Sequence, residues 1–297
     1  MPNKYNVSVF TENNALSYYL LGAYMTDGNV VRNLQRCSLS STDVSWLEDI
    51  NKIISPNNLI KKYAKNCFTL IVHNKEICCW LNQAGCIPAK SLVLDAPNVP
   101  SEYFKDFMRG AMDGDGSISL YQRAYDNYKT LSCYLCGASP LFMEGISTRL
   151  NSLGLFHSFL ATKPEDLQIS IIDGRPCIPQ HTQYRIKFSG YRAQTFLKWI
   201  YYTHDLLSLD RKRDVANTAF SYFEEKGKLI GKTSQYKGVS WHRTAKKWRA
   251  TIVVANKQIH LGFFIDEQLA AEAYIKKQKE LIDIDLYNGY QSLSLCS

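Results

Sequence analysis

FMRGAMDGDGS, residues 107–117, decides the reading of this chain, because LLGAYMTDG at residues 20–28 repeats its plan. Each is an apolar run with a small residue midway and Asp-Gly at its end. In each, a Gly stands five residues before the Asp: Gly22 before Asp27, and Gly110 before Asp115. A spacing repeated across about ninety residues marks a duplicated unit. If the two runs are helices, Gly22 with Ala23 and Gly110 with Ala111 leave one face of each almost bare. The helices can then approach backbone to backbone, and the Gly after each Asp can take the left-handed conformation that ends a helix.

Packed side by side, such helices present Asp27 and Asp115 together at two helix C-termini. Two carboxylates at the negative ends of two macrodipoles repel each other unless a cation sits between them. Hard oxygen ligands with an open shell suit Mg²⁺ or Mn²⁺, whose remaining positions go to water and substrate phosphate. A single apolar helix followed by Asp-Gly is ordinarily a helix running into a turn. The matched second copy is what carries the functional reading.

Here the chain resembles the LAGLIDADG homing endonucleases. LLGAYMTDG and MRGAMDGDG both match the family's motif at the Gly, the final acidic residue and the closing Gly. Asp113 also lies in the second copy, but alignment to the family places the catalytic carboxylate at Asp115. The resemblance implies an α+β fold: a pseudo-two-fold pair of αββαββα halves whose saddle-shaped antiparallel sheets lie in the DNA major groove. It further implies one catalytic, metal-binding Asp per strand cut, with a basic residue from each half near the scissile phosphate. The matching residues are Lys90 in IPAKS and Lys212 in LDRKRD. Lys90 also reads as a surface lysine of a crossover loop, and which of Arg211, Lys212 and Arg213 points inward stays open.

The order of elements repeats as well. A helix from Ala15 to Thr26 precedes a hairpin over 29–41, then a helix capped by Thr42 or Asp43 and running to about Ile54. A second hairpin turns at Lys65 and Asn66, and a short helix closes at Gly85. After a Pro-marked crossover at 88–100, the second pass predicts a helix over 101–114, strands within 117–139 and a helix over 140–153. Strands within 158–163, 167–173 and 182–190 follow, and one helical region over 192–225 closes the half. One face of such strands packs on helices while the other contacts phosphates and base edges. Outward candidates are Arg32, Gln35, Arg36, Lys61, Lys65, Gln122, Arg123, Tyr125, Lys129, Gln183 and Arg185, and a one-residue slip would invert the assignment.

The formal net charge is +8 over 297 residues. Residues 226–281 hold 12 Lys plus Arg against 4 Asp plus Glu, a local excess of +8 that points to a polyanionic partner, or simply to a solvated basic face. That segment begins with a polar tether, EKGKLIGKTSQ. Three predicted strands follow, with turns at Ala245-Lys246 and Asn256-Lys257, then a helix capped by Asp266. Trp248, Ala250, Ile252 and Val254, with Ile259, Leu261, Phe264, Ala270, Ala273 and Tyr274, form its predicted core. YKGV, KKW, HLGFF and the Ala-Ala-x-Ala-Tyr helix resemble the AP2 DNA-binding domain in order and spacing. The family's contact positions fall here on Lys237, Trp241, Arg243, Arg249, Thr251, Gln258 and His260. Trp241 also reads as a core aromatic, and Ser240, Thr251 and Gln258 depart from residues common in plant members, so base preference does not transfer.

No run of 18 apolar residues suggests a membrane span, and the N-terminus lacks a signal-peptide pattern, so an intracellular protein is expected. Nine scattered Cys fit reduced thiols. Cys133 and Cys136 fall on opposite faces of a probable strand, which argues against zinc.

The domains expected are 1–97 and 98–225 for the two halves, 226–235 for the linker, 236–282 for the AP2-like module and 283–297 for the tail. The reading is a single-chain endonuclease, a monomer acting as a pseudo-dimer on double-stranded DNA, with no membrane partner and no small-molecule substrate. Its implied setting is the cytoplasm or nucleoid of a bacterial or phage-infected host, or an organelle. A DNA- or RNA-binding regulator or maturase without cleavage, and a strand-specific nickase, are the alternatives.

Overall fold

The computed structural model describes residues 5–64, 66–122, 128–172, 175–225, 234, 236–242, 244–254 and 257–294. Two compact units divide the chain, Met1–Ser221 and Tyr222–Ser297.

At the centre of the first unit, α2 (Ala15–Thr26) packs along α5 (Phe104–Asp115). A Cβ added to Gly22 would lie 2.1 Å from the Phe107 carbonyl oxygen, and one on Gly110 would lie 2.0 Å from the Tyr19 oxygen. The contact is therefore reciprocal and backbone to backbone. Nine consecutive residues of α2, from Ser17 to Met25, are buried, as befits a helix enclosed on all sides. Asn14 starts it with a capping box: its side chain accepts from the Leu16 and Ser17 amides, and the Ser17 hydroxyl accepts from the Asn14 amide.

Each central helix feeds a sheet of the same plan. After the short helix α1 (Ser8–Thr11) and α2 come β1 (Gly28–Val30), β2 (Cys37–Ser41), α3 (Val44–Ile54), β3 (Ile60–Ala64), β4 (Cys67–Val72) and α4 (Lys75–Gln83). The strands pair antiparallel in the order β1-β2-β4-β3. In the second half α5 leads to β5 (Gly116–Gln122), β6 (Lys129–Gly137), α6 (Pro140–Ser152), β7 (Ser158–Thr162), β8 (Ser170–Ile172), β9 (Arg175–Cys177), β10 (Gln183–Ser189) and α7 (Tyr191–Ile200). Its sheet runs β5-β6-β10-β7, the same order one half later.

Three expectations change. The strand expected within 167–173 stays out of the main sheet: among the described residues, β8 pairs with β9 in a separate two-stranded ribbon. The helical region over 192–225 is two helices, α7 and α8 (Asp210–Glu225), with a non-helical stretch at 201–209. That break carries Tyr201 and the Leu209 amide onto the buried Asp113 carboxylate, at 3.1 and 2.9 Å. Nor do the glycines after the motif aspartates take left-handed backbone. Gly116 is extended at φ −83°, and neither it nor Gly28 has positive φ. They are needed for close approach, since an added Cβ would lie 2.5 Å from the Tyr24 oxygen at Gly28 and 2.4 Å from the Met112 oxygen at Gly116.

The second unit holds the sheet β11 (Val239–His242), β12 (Lys247–Val254) and β13 (Lys257–Phe264), crossed by α9 (Glu267–Ser294). Asp266 caps α9, its carboxylate accepting from the Gln268 amide at 2.7 Å. Val239, Ala250, Ala270 and Ala271 form the core, with Trp248, Leu261 and Phe264 packed against it, whereas Ile259 is 38% exposed. A bulge after Ala250 shifts the register with β13 by one residue, and beyond it Ile259 pairs with the buried Ile252 and so keeps the expected face.

Among the described residues no helix is long and apolar enough to cross a membrane. Cys133 is buried and Cys136 half-buried, on opposite sides of β6.

Replacing Gly110 with Ala is expected to cost about 3 kcal/mol or more, since the intruding methyl meets backbone that cannot rotate away. Urea unfolding of the variant measures this, and Ala at the solvent-facing Gly154, where nothing lies within 4 Å but φ is +75°, should cost about 1 kcal/mol.

Candidate active site and nucleic-acid interface

Asp27 ends α2 as its C-cap, its amide still bonded to the Ala23 carbonyl at 3.0 Å. Asp115 is the last residue of α5. The helix packing brings these ends together: a Cβ on Gly114 would lie 2.1 Å from the Thr26 hydroxyl and 3.5 Å from the Asp27 carboxyl carbon. Burial pushes the Asp27 carboxyl up to about 6, and the Asp115 charge adds to the rise against the opposing pull of Lys212 and Lys90. Asp115 reaches solvent at the mouth of the site. Partial dehydration by surrounding protein still raises its pKa, with Lys90 and Lys212 opposing.

Both lysines are buried and both grip a helix end. Lys90 Nζ donates to the Thr26 and Gly28 carbonyls at 3.3 and 2.6 Å. Lys212 Nζ donates to those of Met112, Asp113 and Gly114 at 2.8, 2.6 and 2.8 Å. Each ammonium thus satisfies carbonyls that a helix C-terminus leaves orphaned and offsets the negative dipole end behind its aspartate. They are not equivalent, because three acceptors saturate the three N–H groups of Lys212 while two leave Lys90 one to spare. Burial lowers the Lys212 pKa to about 8, with Asp113 resisting the fall and Arg211 adding to it. Of the basic triplet, Lys212 is the residue pointing inward. Arg211 pairs with Asp43 at 2.9 Å, and Arg213 donates to the Leu206 carbonyl at 2.9 Å.

Asp113 plays another part. It is buried and accepts from Tyr19 at 2.8 Å, from Tyr201 and from the Leu209 amide, while Trp46 donates to the Tyr19 hydroxyl at 2.7 Å. This network ties the two halves together beneath the motif ends. Among the described residues no cluster of three or more His, Cys, Asp or Glu could hold a metal ion. The donor set is two partly dehydrated carboxylates, of which Asp115 reaches solvent, which fits a hard cation that keeps water in most of its positions. Beside Asp115 a cavity of about 210 Å³ is lined by Lys90, Ser91, Leu94, Cys136, Ser139 and Phe142, among others.

Register settles which strand residues face away from the helices. In the second half Leu131, Cys133, Leu135, Ile186 and Phe188 are buried, so Thr130, Tyr134, Cys136, Gln183, Arg185 and Lys187 share the other face. Arg185 lies over the Tyr134 ring at 4.7 Å and donates to Cys136. Gln122 pairs with Lys129 on the side of Leu120 and Leu131, which corrects their outward assignment; both are exposed only because the hairpin extends past the core. In the first half Lys61 pairs with Thr69 on the open face, opposite in sense to the buried Leu70. Arg32, Gln35 and Arg36 are exposed, on the β1–β2 connection rather than on strands. Lys65, Arg123, Tyr125 and Arg243 lie outside the described residues.

In the second unit Arg249 pairs with Phe263 and Thr251 with His260 on the face away from α9, with Gln258 alongside. Gln258 donates to the Thr251 hydroxyl at 3.3 Å. Trp241 pairs with Trp248 and so shares the helix side of the sheet, its ring edge-on to Trp248 at 5.2 Å. Lys237 is exposed in the turn before β11. Phe263, 43% exposed and flanked by His242 and His260, and the second-half residues Tyr134 and Lys187 are face residues that sequence reasoning missed. Strict alternation with a known register was the missing signal.

No family model and no curated protein matches the chain by sequence. Solved structures similar to it are LAGLIDADG homing endonucleases. I-SmaMI bound to cleaved DNA is 10% identical with a TM-score of 0.47, covering 73% of this chain and 93% of that one. I-GzeII in complex with its DNA target is 13% identical with a TM-score of 0.46, covering 73% and 92%.

The raised Asp27 pKa has a sign that can be tested. The folded state holds its proton more tightly than the unfolded chain, so stability falls as pH rises through roughly 4 to 6. Asp27→Asn removes that loss. In EDTA the variant should match the parent near pH 4 and exceed it by about 2 kcal/mol at pH 7, by thermal unfolding at both pH values.

Proposed function

We propose that this chain is a site-specific endonuclease on double-stranded DNA, of the single-chain LAGLIDADG homing type, in which each half contributes one carboxylate to the cutting of one strand. The observation that carries the reading is the meeting of Asp27 and Asp115 at two helix ends held by Lys90 and Lys212, in a fold whose halves repeat the same strand order. A duplex offers two scissile phosphates related by a local two-fold, and a duplicated site answers that geometry.

Asp27 and Asp115 would hold Mg²⁺ or Mn²⁺, which when bound supplies charge stabilisation and an activated water. The chain's own residues do the rest. Hydrolysis joins a water oxygen to phosphorus and releases a sugar hydroxyl, so the products need negative charge to be tolerated at the helix ends. The buried ammoniums of Lys90 and Lys212 supply that compensation from behind. Arg185, Lys187, Gln183 and Lys61, on the open faces of the sheets, suit phosphate and base contacts. The second unit serves in this reading as an AP2-type module, its face of Arg249, Thr251, Gln258 and His260 adding a separately tethered DNA contact.

One observation favours a second reading, a strand-specific nickase: Lys90 and Lys212 differ in how fully their donors are engaged. Plasmid topology separates the readings. With Mg²⁺ and a randomised target library, the intact chain is expected to give linear product. Asp27→Asn and Asp115→Asn should each reduce double-strand cleavage about 100-fold or more while binding persists. Open circles from the intact chain indicate the nickase, and bound but uncut supercoils indicate a regulator or maturase. A chain ending at Glu225 should still cut, with weaker binding and a shallower salt dependence.

A further inference from the structure

Asp43 and Ser139 occupy equivalent places in the two halves: each is the N-cap residue of the helix that follows the second strand, α3 and α6. Asp and Ser are favoured there because their oxygens accept from the first free amides of their own helix. Neither makes that bond. Asp43 instead accepts from Arg211 Nε at 3.2 Å and Nη2 at 2.9 Å, and the Ser139 hydroxyl donates to the Leu94 carbonyl. Both contacts cross from one half to the other. Arg211 adjoins Lys212, and the Leu94 amide closes a turn on the Lys90 carbonyl at 2.8 Å.

We propose that Asp43 and Ser139 are positioning residues, each fixing from one half the lysine-bearing segment that closes the other half. Two chemically unlike side chains forgo the same local bond for the same reach, and the element each one holds carries a lysine seated behind a motif aspartate. The Arg211 side chain is 60% exposed, so its ion pair contributes little to overall stability. Its consequence lies in where the first turn of α8 sits, and hence in whether Lys212 meets all three carbonyls of α5. Arg211 holds the Asp43 carboxyl below its ordinary range, in keeping with a persistent pair. Ser139 is 2% exposed and does the same for the Lys90 segment from within the protein.

The inference rests on the endonuclease reading and adds that each strand's cut depends on a cross-half contact. The test uses the full chain on a supercoiled plasmid carrying one target, with each strand separately labelled. Asp43→Ala and Ser139→Ala are each expected to slow one strand's scission by about three- to tenfold relative to the other, and the two variants should spare opposite strands. Arg211→Ala should share the bias of Asp43→Ala, and the exchanged pair Asp43→Arg with Arg211→Asp should restore balance. Should an alanine variant fail to fold, Asp43→Asn and Ser139→Cys carry the same comparison. Equal slowing of both strands, or the same strand spared by both variants, overturns the inference while leaving the endonuclease reading intact. Failure of the unsubstituted chain to cut any site would remove that reading itself.

Discussion

The contact between Gly22 on α2 and Gly110 on α5 constrains everything around it. With virtual Cβ atoms about 2 Å from the partner's carbonyl oxygens, no other residue fits either place without moving a helix. That approach aligns the two helix C-termini, and with them the two aspartates and the first strands of both sheets. Sheet geometry then follows, because Gly28 and Gly116 let each strand leave its helix tightly against the last turn. A duplicated sequence thus becomes a duplicated surface around a single joint.

Such a joint concentrates negative charge: two carboxylates, two sets of orphan carbonyls and, just below, the Asp113 carboxylate. The protein answers each differently. Asp113 is satisfied by hydrogen bonds from Tyr19, Tyr201 and the Leu209 amide, and so becomes part of the frame. The carbonyls are met by Lys90 and Lys212. The motif carboxylates receive no such partner, and Asp27 in particular is left with its pKa near 6. Strain of this kind is tolerated where a ligand is to relieve it.

Much of the fold was legible because its signals are local. The span of α2, the N-cap position before α3 and the order of strands all follow from periodicity and capping residues within a few positions. The break at 201–209 was not, because its cause is a buried carboxylate almost a hundred residues away, and DRKRD continues a good helical pattern on its own side. Strand faces failed where alternation met a hairpin end, at Gln122 and Lys129. The proximity of Asp27 to Asp115 was readable from the glycine spacing. The carbonyl anchorage of the lysines was not, since each joins residues about 60 to 100 positions apart within its own half, and the Asp43–Arg211 pair was not, since it depends on docking of the halves; no short motif marks either.

The claim at the centre is that Asp27 and Asp115 share one partly dehydrated site. Side-chain carboxyl ¹³C titration in EDTA addresses it directly, comparing the intact chain with Asp115→Asn. The account predicts an Asp27 pKa of about 6 that falls when Asp115 is neutralised. An Asp27 that titrates near 4 in both proteins would contradict it, and would place the two carboxylates in separate, ordinary surroundings.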